Sequence, residues 1–151
     1  MKPETGNVGP LEAADVDRLS AAVLAYVGDA VYELYVRTNL VRGGRLDMDE
    51  LHKEAVSLVN AKAQAQALAD LDAFLLPDEV EVARRARNVH TGRGPRSTPV
   101  LDYRHSTGFE AVIGYLYLLG RQARLQEVLG KALAVSRARV ANHTLSGGEM
   151  P

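Results

Sequence analysis

Two apolar stretches, residues 23–33 and 106–118, constrain the fold of this chain most. Each reads as helix, and each carries a glycine and a carboxylate in its interior: Gly28 with Asp29, and Gly114 with Glu110. Glycine inside a helix costs about 1 kcal/mol relative to alanine. Close helix–helix approach at Gly28 and Gly114 is the expected compensation, and it would bring Asp29 near Glu110. An ionised carboxylate in an apolar wall is costly unless it is paired, hydrogen-bonded or bound to a metal. Asp29 and Glu110 are therefore the candidate metal ligands.

The rest of the chain also reads as helix. The first helix is expected to be capped by Asp15 or Asp17, to run through Ser20 to about Leu40 and to end at Gly43-Gly44. Asp47 and Glu50 have the spacing of a capping box. They open one long alanine-rich helix, from 48 to about 70, with Leu51, Ala55, Leu58, Val59, Ala65 and Leu68 at helical spacing. Pro77 suits the first turn of the next helix, which ends near Asn88. Residues 89–103 contain Gly92, Gly94, Pro95 and Pro99 and read as one long irregular segment. Helices over about 107–119 and 121–141 complete the pattern. No strand pattern, internal repeat or second domain is visible, so the expected fold class is all-α. Flexible tails are expected at 1–14 and 143–151, around a domain at 15–142.

Composition excludes several chemistries. The 151 residues, 46% hydrophobic and 25% charged, suit one domain with a real core. Cysteine is absent, which removes disulfides, thiolate nucleophiles and Cys-based zinc sites and suits a reducing compartment. No apolar run approaches the roughly 18 residues of a membrane span, and residues 1–10 lack the apolar core of a signal peptide. The net charge of −1 does not advertise a nucleic-acid binder. Local asymmetry does, because Arg84, Arg85, Arg87, Arg93, Arg96 and Arg104 share their stretch with a single acid, Asp102. That cluster reads either as a solvated face beside a loop or as a grip on phosphates.

Mg²⁺ takes oxygen ligands, keeps several waters and is often held by one or two carboxylates. Two carboxylates on facing helices and a basic segment together suggest metal-dependent cleavage of a nucleic acid. Plainer readings stand beside this one. Glu110 follows Thr107 at capping-box spacing. Asp29 can be a carboxylate hydrogen-bonded to a tyrosine such as Tyr115. His52, His90, His105 and His143 show no metal-ligand spacing, and Tyr26, Tyr32, Tyr35, Tyr115 and Tyr117 read as core or interface.

Leu24-Ala25-Tyr26-Val27-Gly28-Asp29-Ala30-Val31 resembles the signature helix of the ribonuclease III catalytic domain. Phe109-Glu110-Ala111-Val112-Ile113-Gly114-Tyr115-Leu116 resembles its second acidic helix. The short branch, Mini-ribonuclease III, is the closer match. Leu51-His52-Lys53-Glu54-Ala55, Asn60-Ala61-Lys62-Ala63-Gln64-Ala65, Arg84-Arg85-Ala86-Arg87-Asn88 and Tyr103-Arg104-His105-Ser106-Thr107 add to it in the same order. The resemblance implies a helical, homodimeric endonuclease that cuts double-stranded RNA with Mg²⁺. Asp29 and Glu110 fall on the catalytic acids and Tyr26 on a dimer contact. Arg84, Arg85, Arg87 and Asn88 fall where the short branch approaches RNA, and Arg93, Arg96 and Arg104 extend that basic segment. Where the full-length family has further acids, this chain has Ala25 and Thr107, a thinning that the short branch shares. The implied task is maturation of the large-subunit (23S) ribosomal RNA precursor in the cytoplasm, with a ribosomal protein as a helper to consider and no membrane role. The alternative is a non-catalytic dimer that binds double-stranded RNA or assists ribosome assembly.

Overall fold

A computed structural model describes residues 6, 8–44, 47–89 and 99–147. Every regular element among them is helical: α1 (Ala13–Asp17), α2 (Ala21–Arg42), α3 (Met48–Val59), α4 (Ala61–Leu71), α5 (Pro77–Arg87), α6 (Val100–Leu118) and α7 (Gln122–Gly147). The all-α expectation holds. None of these helices is long and apolar enough to cross a membrane.

Local chemistry explains the boundaries, including those the sequence reading misplaced. Ser20, with an extended backbone, caps α2 by accepting from the Val23 N–H at 3.2 Å. Asp15 and Asp17 instead belong to the separate α1. Helix α2 ends at Gly43, and Gly44 takes φ +87°, a value that L side chains avoid. Asp47 accepts from the Glu50 N–H at 3.0 Å, as expected of a cap.

The single helix expected from residue 48 to about 70 is two helices. Asn60 takes ψ 161°, its Oδ1 accepts from the Ala63 N–H at 2.9 Å, and its Nδ2 donates to the Val56 carbonyl at 3.0 Å. Its amide thus closes α3 and opens α4, in the way that asparagine competes with helix backbone. Helix α6 starts at Val100 rather than near 107, so the irregular segment does not reach 103. Thr107 lies inside α6, and its hydroxyl donates to the Tyr103 carbonyl at 2.9 Å. The capping-box reading of Thr107 and Glu110 is therefore wrong. Helix α7 continues past 141 to Gly147.

Helix α6 is the centre of the fold, with α2, α4, α5 and α7 packed around it. It buries Ser106, Gly108, Phe109, Ala111, Val112, Ile113, Gly114 and Leu116, nearly its whole circumference. Helix α2 supplies a stripe of Leu24, Gly28, Tyr32, Val36 and Leu40, one residue per turn. Tyr32 meets Phe109 edge to face, with centroids 4.8 Å apart. At Gly28 and Gly114 the two backbones touch. A Cβ on Gly28 would lie 2.8 Å from the Gly114 nitrogen and would overlap the Glu110 carbonyl. A Cβ on Gly114 would lie 3.0 Å from the Gly28 nitrogen and would overlap the Leu24 carbonyl.

Two polar clamps fix α5. Glu79 is fully buried and accepts from Arg124 of α7 at 2.8 and 2.9 Å and from the Leu76 N–H at 3.0 Å. Arg124 also donates to the Phe74 carbonyl at 2.7 Å and lies over the Phe74 ring. Asp78 accepts from Tyr115 at 3.0 Å and Arg121 at 2.6 Å. Burial raises the Asp78 pKa, but these two hydrogen bonds and the Arg121 charge outweigh it and hold the carboxyl below its usual range. The chain joins the body ahead of α1, where Leu11 N–H donates to the Leu118 carbonyl at 2.8 Å.

Gly28→Ala and Gly114→Ala should each destabilise the protein by about 3 kcal/mol or prevent folding, because backbone cannot move aside as a side chain can. Gly130→Ala meets only the Tyr35 hydroxyl, at 3.7 Å, and should stabilise α7 by about 0.5–1 kcal/mol. Urea midpoints of the three variants check this.

Candidate active site

The contact between α2 and α6 decides where the carboxylates sit. Asp29 follows Gly28, and the carbonyl that Gly28 abuts is that of Glu110 itself. The two acids, far apart in sequence, thus face a common region. Asp29 is exposed and Glu110 is partly buried, so the apolar-wall argument applies to Glu110 rather than to Asp29.

Burial first, then the charge of Asp29, pushes the Glu110 carboxyl up to about 8; the nearby Gln64 side chain opposes the rise, and Glu33 adds to it. Asp29 is also raised, by partial burial and then by Glu33. The charges acting on both acids are negative. Glu33, one turn beyond Asp29, is paired with Arg37 at 3.0 Å.

This unbalanced negative field suits a small hard cation. Among the described residues no group of three or more histidines or acids is placed to cage an ion. Two carboxylates facing one region could hold Mg²⁺, which takes oxygen ligands, needs few of them from the protein and retains its waters.

The tyrosine alternative for Asp29 fails, because Tyr115 donates to Asp78. His52, His105 and His143 join no metal-binding group among the described residues, and His90 lies outside them.

The arginines divide. Arg84 is exposed at the end of α5, with its guanidinium on Glu81 at 2.7 and 3.0 Å. Arg85 is exposed, Arg87 is half-buried with its stem within reach of Gly108, and Asn88 is the exposed C-cap. Arg104 is exposed on α6, one turn before Gly108. The α5 end and the α6 start are thus brought together. Arg93 and Arg96 lie outside the described residues.

Tyr26 is 82% exposed, in a shallow apolar groove with Val27, Ala30, Val31, Leu34 and Tyr117 that also borders Asp29. Sequence reasoning missed Gln64 and Glu33. Gln64 was detectable as the polar member of a buried stripe with Ala67, Leu68 and Leu71.

Residues 22–121 match the family model described as the ribonuclease III domain. The chain is 44% identical over 117 residues to the Mini-ribonuclease 3 of Thermoanaerobacter sp. (strain X514), covering 78% of this chain and 82% of that protein. It is 41% identical over 121 residues to the Mini-ribonuclease 3 of Brevibacillus brevis, covering 80% and 90%. A crystal structure of a Fusobacterium nucleatum protein superposes with a TM-score of 0.69 at 31% identity, over 77% of this chain and 93% of that one.

Two outcomes follow. Between the usual carboxyl value of 4.5 and about 8, the native state keeps a proton on Glu110 that the unfolded chain has released. Native stability without metal therefore falls as pH rises through that window. Glu110→Gln should be more stable than the parent at pH 9 in chelator, on the order of 2 kcal/mol, and equal to it near pH 4. Denaturant midpoints at both pH values test this. In salt titrations of RNA affinity, Arg85→Ala should flatten the slope by close to one phosphate contact. Arg84→Ala should flatten it less, because Glu81 already holds Arg84.

Proposed function

The chain belongs to the ribonuclease III family, and from that premise we propose that Asp29 and Glu110 are its catalytic acids and hold Mg²⁺. The protein is an endoribonuclease of double-stranded RNA. The observation that carries the site assignment is the convergence of Asp29 and Glu110 over the Gly28–Gly114 contact. When bound, the ion supplies an activated water and stabilises charge on the phosphodiester as the bond breaks. The protein's share is to hold the two carboxylates on rigid helices and to keep their field free of competing cations.

Arg84, Arg85, Arg87, Asn88 and Arg104 take phosphates and the A-form shape, because duplex RNA hides its base edges in a deep groove. Arg93 and Arg96 belong to the same basic segment. Seating these groups at the junction of α5 and α6 lets a duplex held there lie against helices that also carry the acids.

The exposed stripe around Tyr26 is the surface of a homodimer. Tyr26 and Leu34 are large apolar residues exposed side by side there, and their position beside Asp29 sets the two sites of the dimer close to the shared seam. The substrate we assign is a stem of the large-subunit (23S) ribosomal RNA precursor, cut to 5′-phosphate ends in the cytoplasm, with a ribosomal protein as helper. This assignment follows the resemblance to the short branch.

Purified protein should cut an end-labelled RNA duplex internally in Mg²⁺ and not in chelator. Asp29→Asn should lose cleavage to background while keeping its melting temperature and RNA affinity. Binding without cuts, on a duplex and on a ribosomal precursor alike, would instead support the non-catalytic dimer.

A further inference from the structure

Val8-Gly9-Pro10-Leu11, ahead of α1, belong to no helix, yet they are fastened to the end of α6. The Leu11 N–H donates to the Leu118 carbonyl at 2.8 Å, and the Leu11 side chain packs against the core. Pro10 lies over Gly120: a Cβ on that glycine, whose φ is +71°, would come within 2.9 Å of the Pro10 Cβ. The Tyr117 hydroxyl donates to the Val8 carbonyl at 3.1 Å. A segment without helix hydrogen bonds of its own keeps its course only when it is tied down in this way.

Tyr117 links the segment to the Tyr26 groove. Its half-buried ring lines that groove with Tyr26, Val27, Ala30, Val31 and Leu34. Its hydroxyl, the polar tip that a tyrosine has to satisfy, is taken by Val8. The groove and Val8 thus stand at the two ends of one tyrosine side chain. Tyr26 is 82% exposed and Val8 86%. Among the described residues that line the groove, Asp29 alone is charged, and residues 8–11 carry no charge at all.

We propose that residues 8–11 are a strap in the homodimer seam. They hold the Tyr117 ring as one wall of the Tyr26 groove and set Val8 against a second copy of the chain. This rests on the reading of the Tyr26 face as the dimer surface. In a two-fold interface the same patch serves both subunits, so a patch continuous with Tyr26 on one protomer meets the equivalent patch of its partner. Tyr117 supplies the continuity. A nucleic acid would need cations at this surface, and neither the groove nor the strap offers one. A second copy brings the same apolar patch and is the matching occupant.

The test is sedimentation equilibrium of the full chain over a range of concentrations. Val8→Asp should raise the dimer dissociation constant by about tenfold or more, because the seam would bury an unpaired carboxylate. Tyr117→Phe keeps the ring, removes its bond to the strap, and should raise the constant by about three- to tenfold. Both variants should keep the helix content of the parent, because Val8 is exposed and the Tyr117 bond lies at the surface. Leu145→Asp places the same charge on an exposed apolar residue of α7. It should leave the constant within about twofold of the parent.

A Val8→Asp dimer as tight as that of the parent would overturn the proposal. Equal weakening by Leu145→Asp would do the same, since the effect would then be one of charge and not of place. If Val8→Asp and Tyr117→Phe both lose helix content, the segment serves the fold and the proposal falls. Tyr26→Asp separates the two levels. A parent that stays monomeric, or a Tyr26→Asp dimer as tight as the parent's, removes the dimer face itself and the strap with it. A dimer broken by Tyr26→Asp and untouched by Val8→Asp removes only the strap.

Discussion

Two peptide backbones in contact, at Gly28 of α2 and Gly114 of α6, are the constraint on which the rest of this structure depends. Their lack of side chains lets the helices approach until each glycine lies against the other helix's main chain. The intrinsic helix cost of two interior glycines is offset by the packing this permits along Leu24, Tyr32, Phe109 and their neighbours. The same contact sets the chemistry. Glu110 belongs to the touching surface and Asp29 to the next position along α2, so a packing solution becomes a pair of facing acids.

That pair is electrostatically expensive on its own. Glu110 is raised to about 8, chiefly by its burial and then by Asp29. Below that value Glu110 keeps its proton, so the region carries one negative charge fewer. A cation between the acids reverses the preference by favouring the charged form. The polar clamps on the far side of α6 are built on the opposite principle. Glu79 has Arg124 and a backbone N–H, and Asp78 has Arg121 and Tyr115, so each acid is matched by donors. The matched acids of the clamps thus differ from Asp29 and Glu110, on each of which the charges acting are negative.

Much of this was legible in the chain. The mid-helix glycines pointed to a close crossing, and Pro77 and the Gly43-Gly44 pair sat where helices start and stop. The misplaced features have local causes. Asn60 was read as an interior helix residue because periodicity continues across it, whereas its amide caps both neighbouring helices. Thr107 has the spacing of a capping residue but lies within a helix that starts at Val100, so its hydroxyl returns to its own helix. Tyr115 was offered to Asp29, but the clamp at the start of α5 claims it.

Sequence by itself determined the helical class, the close crossing expected at the two mid-helix glycines and the basic character of the α5 end, because periodicity, glycine placement and charge order are one-dimensional properties. Only the tertiary structure decided that Asp29 is exposed while Glu110 is partly buried, that Arg84 is held by Glu81, and that Tyr115 donates to Asp78. Burial and pairing depend on which surfaces of different helices meet, and residues such as Asp78 and Tyr115, 37 positions apart in the chain, carry no local sign that they will.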